Sequence, residues 1–305
     1  MDSLVSTAWL AAHIAEPDLV VVDSSWFMPS LGRSGRPEYL EAHIPGARFL
    51  DIDEVADKSN PAPHMLPSAV EFGEAMERIG IGSGDRIVVY DNSQTRTAAR
   101  GWFMLRHFGA GQVAILDGGF HKWVAEGRPT EGDVPAPRQA RFDAVERDEV
   151  VTKQQLLAGV GLPWVDARGK SRFEGSEADP RAGVAPGHAP GARNLPFGSL
   201  YREGGTFKPV EELRRLFAEA GVDPLQPFVA SCGSGVTANS LIFAAHLIGN
   251  DETKLYDGSW SEWGADPETP KVLGPPSAPS GQRKSAAGRP KGQRSAGSGS
   301  GSTCD

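Results

Sequence analysis

The chain is predicted to be an α/β protein of two similar domains, each a mainly parallel sheet covered by helices on both faces. Three observations carry this. The sequence repeats itself, short apolar runs recur at matching places in each half, and amphipathic segments lie between them. The repeat is plainest in His43-Ile44-Pro45-Gly46-Ala47-Arg48, which returns as His188-Ala189-Pro190-Gly191-Ala192-Arg193.

The apolar runs come first in each half. Leu19 to Asp23 and Pro163 to Asp166 precede the repeated turn, and Arg86 to Asp91 and Pro227 to Cys232 follow it. They are short, rich in Val and bounded by Gly, Pro or Asp, which predicts buried strands. Helical spacing of apolar residues appears in Val70 to Ile79 and in Val210 to Ala220. Two further helices are expected after the central strands, over Thr97 to Phe108 and Thr237 to Leu247. Each half closes on an Asp-Gly pair, in Leu116 to Phe120 and in Tyr256 to Trp260. Strands alternating with helices imply parallel, doubly covered sheets. The domains are expected over residues 1–126 and 148–273, with a polar, Pro-rich linker over 127–147. Residues 274–305 are Gly, Ser, Pro, Ala and basic residues, a composition expected to be disordered.

Composition limits the function. The chain has 305 residues and a net charge of -8. Its basic residues include Arg283, Lys284, Arg289, Lys291 and Arg294 in the tail, so the folded part is more acidic than the whole. That argues against a nucleic-acid binder. No run approaches the roughly 18 apolar residues of a transmembrane helix, so no membrane association is expected. Met1 to Glu16 has neither a positive n-region nor a small-residue cleavage site, and a cytoplasmic location is expected. The two cysteines, Cys232 and Cys304, are too few for a disulfide framework or a structural zinc site. Cys304 lies in the tail and is read as an exposed thiol without a role. No metal or organic cofactor is expected.

Cys232 is the candidate nucleophile. It ends a central strand where an open α/β sheet places its sites. Its loop reads Cys232-Gly233-Ser234-Gly235-Val236-Thr237-Ala238, whereas the first half has Asp91-Asn92-Ser93-Gln94-Thr95-Arg96-Thr97. The first half therefore lacks the thiol. Gly233 and Gly235 permit a backbone that turns successive N–H groups inward as an anion nest. The helix starting near Thr237 adds the positive end of its dipole. Both would stabilise a thiolate, and the same donors would hold a persulfide.

With these motifs the chain resembles the tandem-domain rhodanese family over about residues 1–265. The loop, both His-x-Pro-Gly-Ala elements and both Asp-Gly closures occur in the family's order. The resemblance implies two rhodanese-like domains, with the active loop in the second. It implies a sulfurtransferase carrying a persulfide on Cys232. The loop looks like that of the members using 3-mercaptopyruvate. Members using thiosulfate typically carry an Arg-Lys pair after the Cys, where this chain has Gly233 and Ser234. The resemblance further implies that Arg172 and Arg181 bind the α-keto acid, as forked guanidinium groups suit a carboxylate and a neighbouring carbonyl. Salt bridges from these arginines to Glu174, Glu177 or Asp179 are the competing reading. Gly233, Gly235, Val236 and Thr237 would bind through the loop backbone. A Ser234–His64–Asp53 relay is also implied, which would place the site between the halves. His43 and His188 are read as structural. The expected acceptor is a thiol, such as thioredoxin or a small thiol, or cyanide.

Three rivals stay in view. One is a thiosulfate sulfurtransferase, and another a non-catalytic rhodanese-like binding module. The third, a Cys-dependent phosphatase, needs an Arg closing the loop, and Gly233 to Ala238 contains none.

Overall fold

The computed structural model describes residues 1–136 and 138–276. The expected behaviour of the tail and of Cys304 falls outside the described residues, apart from the first few residues of the tail. The first half runs β1 (Leu4–Val5), α1 (Thr7–His13), β2 (Leu19–Asp23), α2 (Gly35–Glu41), β3 (Arg48–Phe49), α3 (Ala69–Arg78), β4 (Arg86–Tyr90), α4 (Ala98–His107), β5 (Gln112–Leu116) and α5 (Gly119–Ala125). The second runs β6 (Val150–Val151), α6 (Lys153–Ala158), β7 (Trp164–Asp166), α7 (Lys170–Glu174), β8 (Arg193–Asn194), α8 (Val210–Glu219), β9 (Val229–Ser231), α9 (Ala238–Ile248), β10 (Lys254–Tyr256) and α10 (Ser259–Trp263). Each half forms a five-stranded sheet, ordered β1-β5-β4-β2-β3 and β6-β10-β9-β7-β8. Every strand pair is parallel. The two orders correspond strand for strand, as the repeat requires.

The strands behave as the apolar runs predict. All five residues of β2 are buried, which fits a strand covered on both faces. The helices are set by local signals. Ser68 and Glu71 form a reciprocal capping box at the start of α3, and Thr152 and Gln155 do the same for α6. The repeated histidines are structural in both halves. His43 Nδ1 lies 2.6 Å from the Tyr39 carbonyl with its ring stacked on Tyr39. His188 Nδ1 lies 2.9 Å from the Phe173 carbonyl and stacks on Phe173. The segment joining the halves is not a free tether. Phe142 is buried against Phe72, and Glu131 pairs with His43 through two backbone hydrogen bonds.

The halves meet through α4 and α9, where Trp102 packs edge-on against Phe243 at 4.8 Å between ring centroids. Their apolar contacts merge into one core. Two crossing loops complete the join. The loop after β3 reaches the second half, where the Leu66 N–H donates to Asp257 Oδ2 at 2.6 Å. The loop after β8 reaches the first half, where the Phe207 N–H donates to Asp117 Oδ1 at 2.8 Å. Asp117 and Asp257 are the repeated Asp-Gly aspartates, so each half is latched by the same residue of the other.

The duplicated strand ends have diverged in charge. In the second half the buried Asp166 is paired with Arg168 at 2.7 Å. In the first half the matching Asp23 has Ser25 in place of the arginine, and it accepts the Ser25 N–H at 2.8 Å. Burial pushes the Asp23 carboxyl up to about 7, against hydrogen bonds from Ser25 and Tyr90 and with the help of the nearby Asp91. The protonated form is therefore the one the fold favours. Its stabilising contribution is complete below the unfolded value of 3.8 and is lost as pH rises to about 7. Asp23→Asn is expected to remove that slope and to be more stable than the wild type at pH 8 by up to about 4 kcal/mol. Urea unfolding of both proteins at pH 5 and pH 8 reads the difference.

Candidate active site

The first half shows what the strand-end loop is built to hold. Asp91 is buried, and its carboxylate accepts the N–H of Ser93 at 2.7 Å and of Ala98 at 2.8 Å. The loop thus turns its amides onto the side chain of the residue that ends the strand. In the second half that residue is Cys232, and Ser234 and Ala238 occupy the places of Ser93 and Ala98. A carboxylate ends the strand in one half, and a thiol stands at the equivalent position in the other.

Several contacts fix Cys232, whose exposure is 2%. Its N–H donates to Ser259 Oγ at 3.0 Å, and its carbonyl accepts the Trp260 N–H at 3.0 Å. Ser259 has φ +48°, a left-handed conformation in which the first half uses Gly119. A hydroxyl is thus present only beside the thiol. Gly235 has φ +75°, and a Cβ there would lie 2.5 Å from the Asp257 carbonyl, so the loop requires glycine at this point. The α9 helix begins at Ala238 with Thr237 before it, aiming its N-terminus at the loop. Val236 is buried beneath.

The relay residues come together from both halves. His64 Nδ1 lies 2.9 Å from Ser234 Oγ, and His64 Nε2 lies 3.0 Å from Asp53 Oδ1. Trp26 Nε1 donates to Asp53 Oδ2 at 2.7 Å, and the Trp26 ring stands edge-on to His64 at 4.8 Å. Burial would raise the Asp53 carboxyl, but the hydrogen bonds from His64 and Trp26 outweigh it and hold the group below the usual carboxylate range. Asp53 is therefore an anion that orients the imidazole. His64 itself has φ +63°, an uncommon conformation for a side-chain-bearing residue. Arg100 secures it by donating to the His64 carbonyl at 2.6 Å. The same guanidinium donates to Gly235 O at 3.3 Å and Asp257 Oδ1 at 2.8 Å. One buried arginine from the first half therefore ties His64 to the Cys232 loop of the second.

Arg172 and Arg181 lie over the loop. Their terminal nitrogens come within 3.4 and 3.1 Å of where a Cβ on Gly233 would sit, and Arg181 Nη1 donates to the Gly233 carbonyl at 2.6 Å. Both also bind Asp179. Arg172 Nη2 donates to Asp179 Oδ2 at 2.6 Å, while Arg181 Nε and Nη2 reach its two oxygens at 2.8 Å. The competing reading of the sequence is thus partly realised, since Asp179 is a salt-bridge partner. Lys170 takes Glu174, and Ser171 takes Glu177. The arginines nonetheless keep an open face, with side chains 21% and 27% exposed above an Asp179 that is 2% exposed.

A family model for the rhodanese-like domain matches residues 6–126 and 151–266. The chain belongs to the rhodanese-like family. Its two rhodanese-like domains are those of a sulfurtransferase lineage. It is 41% identical over 272 residues to human 3-mercaptopyruvate sulfurtransferase, covering 86% of this chain and 91% of that protein. It is also 41% identical over 280 residues to rat thiosulfate sulfurtransferase, covering 88% and 94%. Among solved structures it is similar to the 3-mercaptopyruvate sulfotransferase SseA from Escherichia coli. The TM-score is 0.78 at 36% identity, over 86% of this chain and all of that one. Overall identity therefore fails to separate the two donors, and the rhodanese loop has to do so.

Several residues of this rhodanese site escape a reading of the sequence. Trp26, Arg100 and Ser259 each act through a partner distant in the chain or through backbone geometry. Asp257 was visible as a repeated landmark, but its role as the anchor of Arg100 was not. Among the described residues there is no cluster of His, Cys, Asp and Glu able to hold a metal, and no helix long and apolar enough to cross a membrane.

Proposed function

We propose that the protein is a 3-mercaptopyruvate sulfurtransferase that carries sulfur as a persulfide on Cys232. The observation that carries the donor choice is the position of Gly233. Arg172 and Arg181 lie directly over it, in space that any side chain after the cysteine would enter. The loop supplies no cation, and the partly exposed guanidinium groups of Arg172 and Arg181, anchored by Asp179, are placed to fork a carboxylate and its neighbouring carbonyl.

The chemistry follows from these placements. Arg172 and Arg181 hold the α-keto acid with its sulfur toward Cys232. The Cys232 thiolate attacks that sulfur, the carbon–sulfur bond breaks, and its electron pair leaves as the enolate of pyruvate. The proton of the former donor thiol passes to the enolate carbon, giving pyruvate and an anionic Cys232 persulfide. Ser234, His64 and Asp53 form a path by which that proton can move, with His64 the group suited to exchange it near neutral pH. The backbone of Gly233 to Thr237 and the start of α9 hold the persulfide anion, as the first half holds the Asp91 carboxylate. An acceptor thiolate then attacks the outer sulfur and restores the Cys232 thiolate. Thioredoxin or a small thiol suits this step, as does cyanide in an assay, and a reducing compartment such as the cytoplasm would supply the thiol. Two half-reactions on one cysteine predict ping-pong kinetics.

The test is the specificity constant for each donor at pH 7 with one acceptor. We expect kcat/KM for 3-mercaptopyruvate to exceed that for thiosulfate by at least about tenfold, a difference of roughly 1.4 kcal/mol in transition-state binding. A preference for thiosulfate would refute the donor assignment.

A further inference from the structure

The two donor-binding arginines share a buried counter-ion, and this bears on which anions the pocket accepts. Asp179 lies behind Arg172 and Arg181 and is bonded to both, through three guanidinium nitrogens. Burial would raise its carboxyl, but the two arginines outweigh that and hold it at about 2, so it stays ionised throughout the working range. The cluster therefore carries two positive charges and one negative. Arg181 spends its remaining Nη1 on the Gly233 carbonyl, while Arg172 Nε is buried without a partner. The Arg172 guanidinium thus makes one bond to Asp179 where that of Arg181 makes two and a third to the loop, so Arg172 is the less committed of the pair.

We propose that Asp179 sets the charge selectivity of the donor pocket, leaving it one net positive charge that matches a monoanionic donor and disfavours a dianion. This rests on the donor reading above. At pH 7 mercaptopyruvate, with a carboxylate and an ordinary thiol, carries one negative charge, and thiosulfate carries two. The nucleophile is itself anionic when it reacts, so a second donor charge meets repulsion that the cluster does not offset. Asp179 also aims the guanidinium groups, so selectivity and orientation reside in the same residue.

The two roles separate by experiment. Removing the negative charge strengthens the pull on a dianion twice as much as on a monoanion. Lost orientation instead weakens both donors together. In Asp179→Asn we expect the ratio of kcat/KM for thiosulfate to that for mercaptopyruvate to rise at least tenfold over the wild-type ratio. Asp179→Glu keeps the charge and should stay within about threefold of the wild-type ratio. The shift should shrink as ionic strength is raised. Equal losses for both donors, with the ratio unchanged in Asp179→Asn, would overturn the proposal. Asp179→Ser, also uncharged, gives the same reading should the asparagine variant not be recovered folded. Because the readout is a change of ratio, it is independent of which donor the wild type prefers. A wild type preferring thiosulfate overturns the donor assignment alone.

Discussion

Cys232→Ser is expected to abolish sulfur transfer, with a loss of at least about 10⁴-fold, while leaving the fold intact. A serine hydroxyl can fill the same buried place and keep the backbone bonds to Ser259 and Trp260, which do not involve the side chain. Stability should therefore change by no more than about 1 kcal/mol. What disappears is the sulfur–sulfur bond. Intact-mass measurement after incubation with mercaptopyruvate, without acceptor, should show wild-type protein heavier by one sulfur atom and the serine variant unchanged. Cys304 is the chain's other cysteine, so Cys304→Ser should retain the gain and assign it to Cys232. A gain that survives in Cys232→Ser would overturn the assignment to Cys232, and a folded wild type that gains nothing would leave the chain a binding module of the same family.

Arg100→Met is expected to be the most destabilising single change in the site, at about 3–5 kcal/mol. Arg100 and Asp257 form an ion pair with side chains 1% and 3% exposed. Removing the cation leaves the Asp257 carboxylate buried with the Leu66 N–H but no counter-charge. The same change releases the carbonyls of His64 and Gly235, which lie in opposite halves of the molecule. Activity should fall further than the loss of folded protein explains, because His64 is held in a left-handed conformation by that bond. Adding Asp257→Asn to Arg100→Met keeps an acceptor for Leu66 while removing the stranded charge. The double variant should recover on the order of 2 kcal/mol of stability without recovering activity. Urea unfolding and turnover on the two variants check both halves of this expectation. Additive losses would mean that the two groups do not interact.

Much of the fold was legible because the signals were local and were given twice. The Val-rich run at Leu19 to Asp23 is a strand with those same limits, and Val70 to Ile79 is helix displaced by one residue. The candidate nucleophile was singled out for a related reason. Cys232 and Asp91 hold equivalent positions in a repeat, so one half served as the reference for the other. The relay was only implied by resemblance, since Asp53 and His64 are separated from Ser234 by most of the chain and no local pattern joins them.

The residues that were missed share one physical cause. Arg100 occupies a helix position that could as well face water, and its burial is matched by partners far along the chain, above all Asp257, 157 residues away. Asp179 was not missed but was one of three acids open to the two arginines, and the choice was made in space, with Glu174 and Glu177 taken by Lys170 and Ser171. Ser259 looks like an ordinary residue of a turn until its φ of +48° and its bond to the Cys232 amide are seen.

By itself the sequence determined the duplicated α/β architecture, the thiol at the end of the second central strand and the absence of one in the first. Periodicity, glycine placement and the repeat act over a few residues, so they survive reading in one dimension. Only the tertiary structure decided which charges meet. It brought His64 and Arg100 from the first half onto the loop of the second, and it set Asp179 behind both donor arginines. Electrostatic and hydrogen-bonding partners are chosen by distance in a low-dielectric interior, and that distance exists only once the two halves have closed on each other.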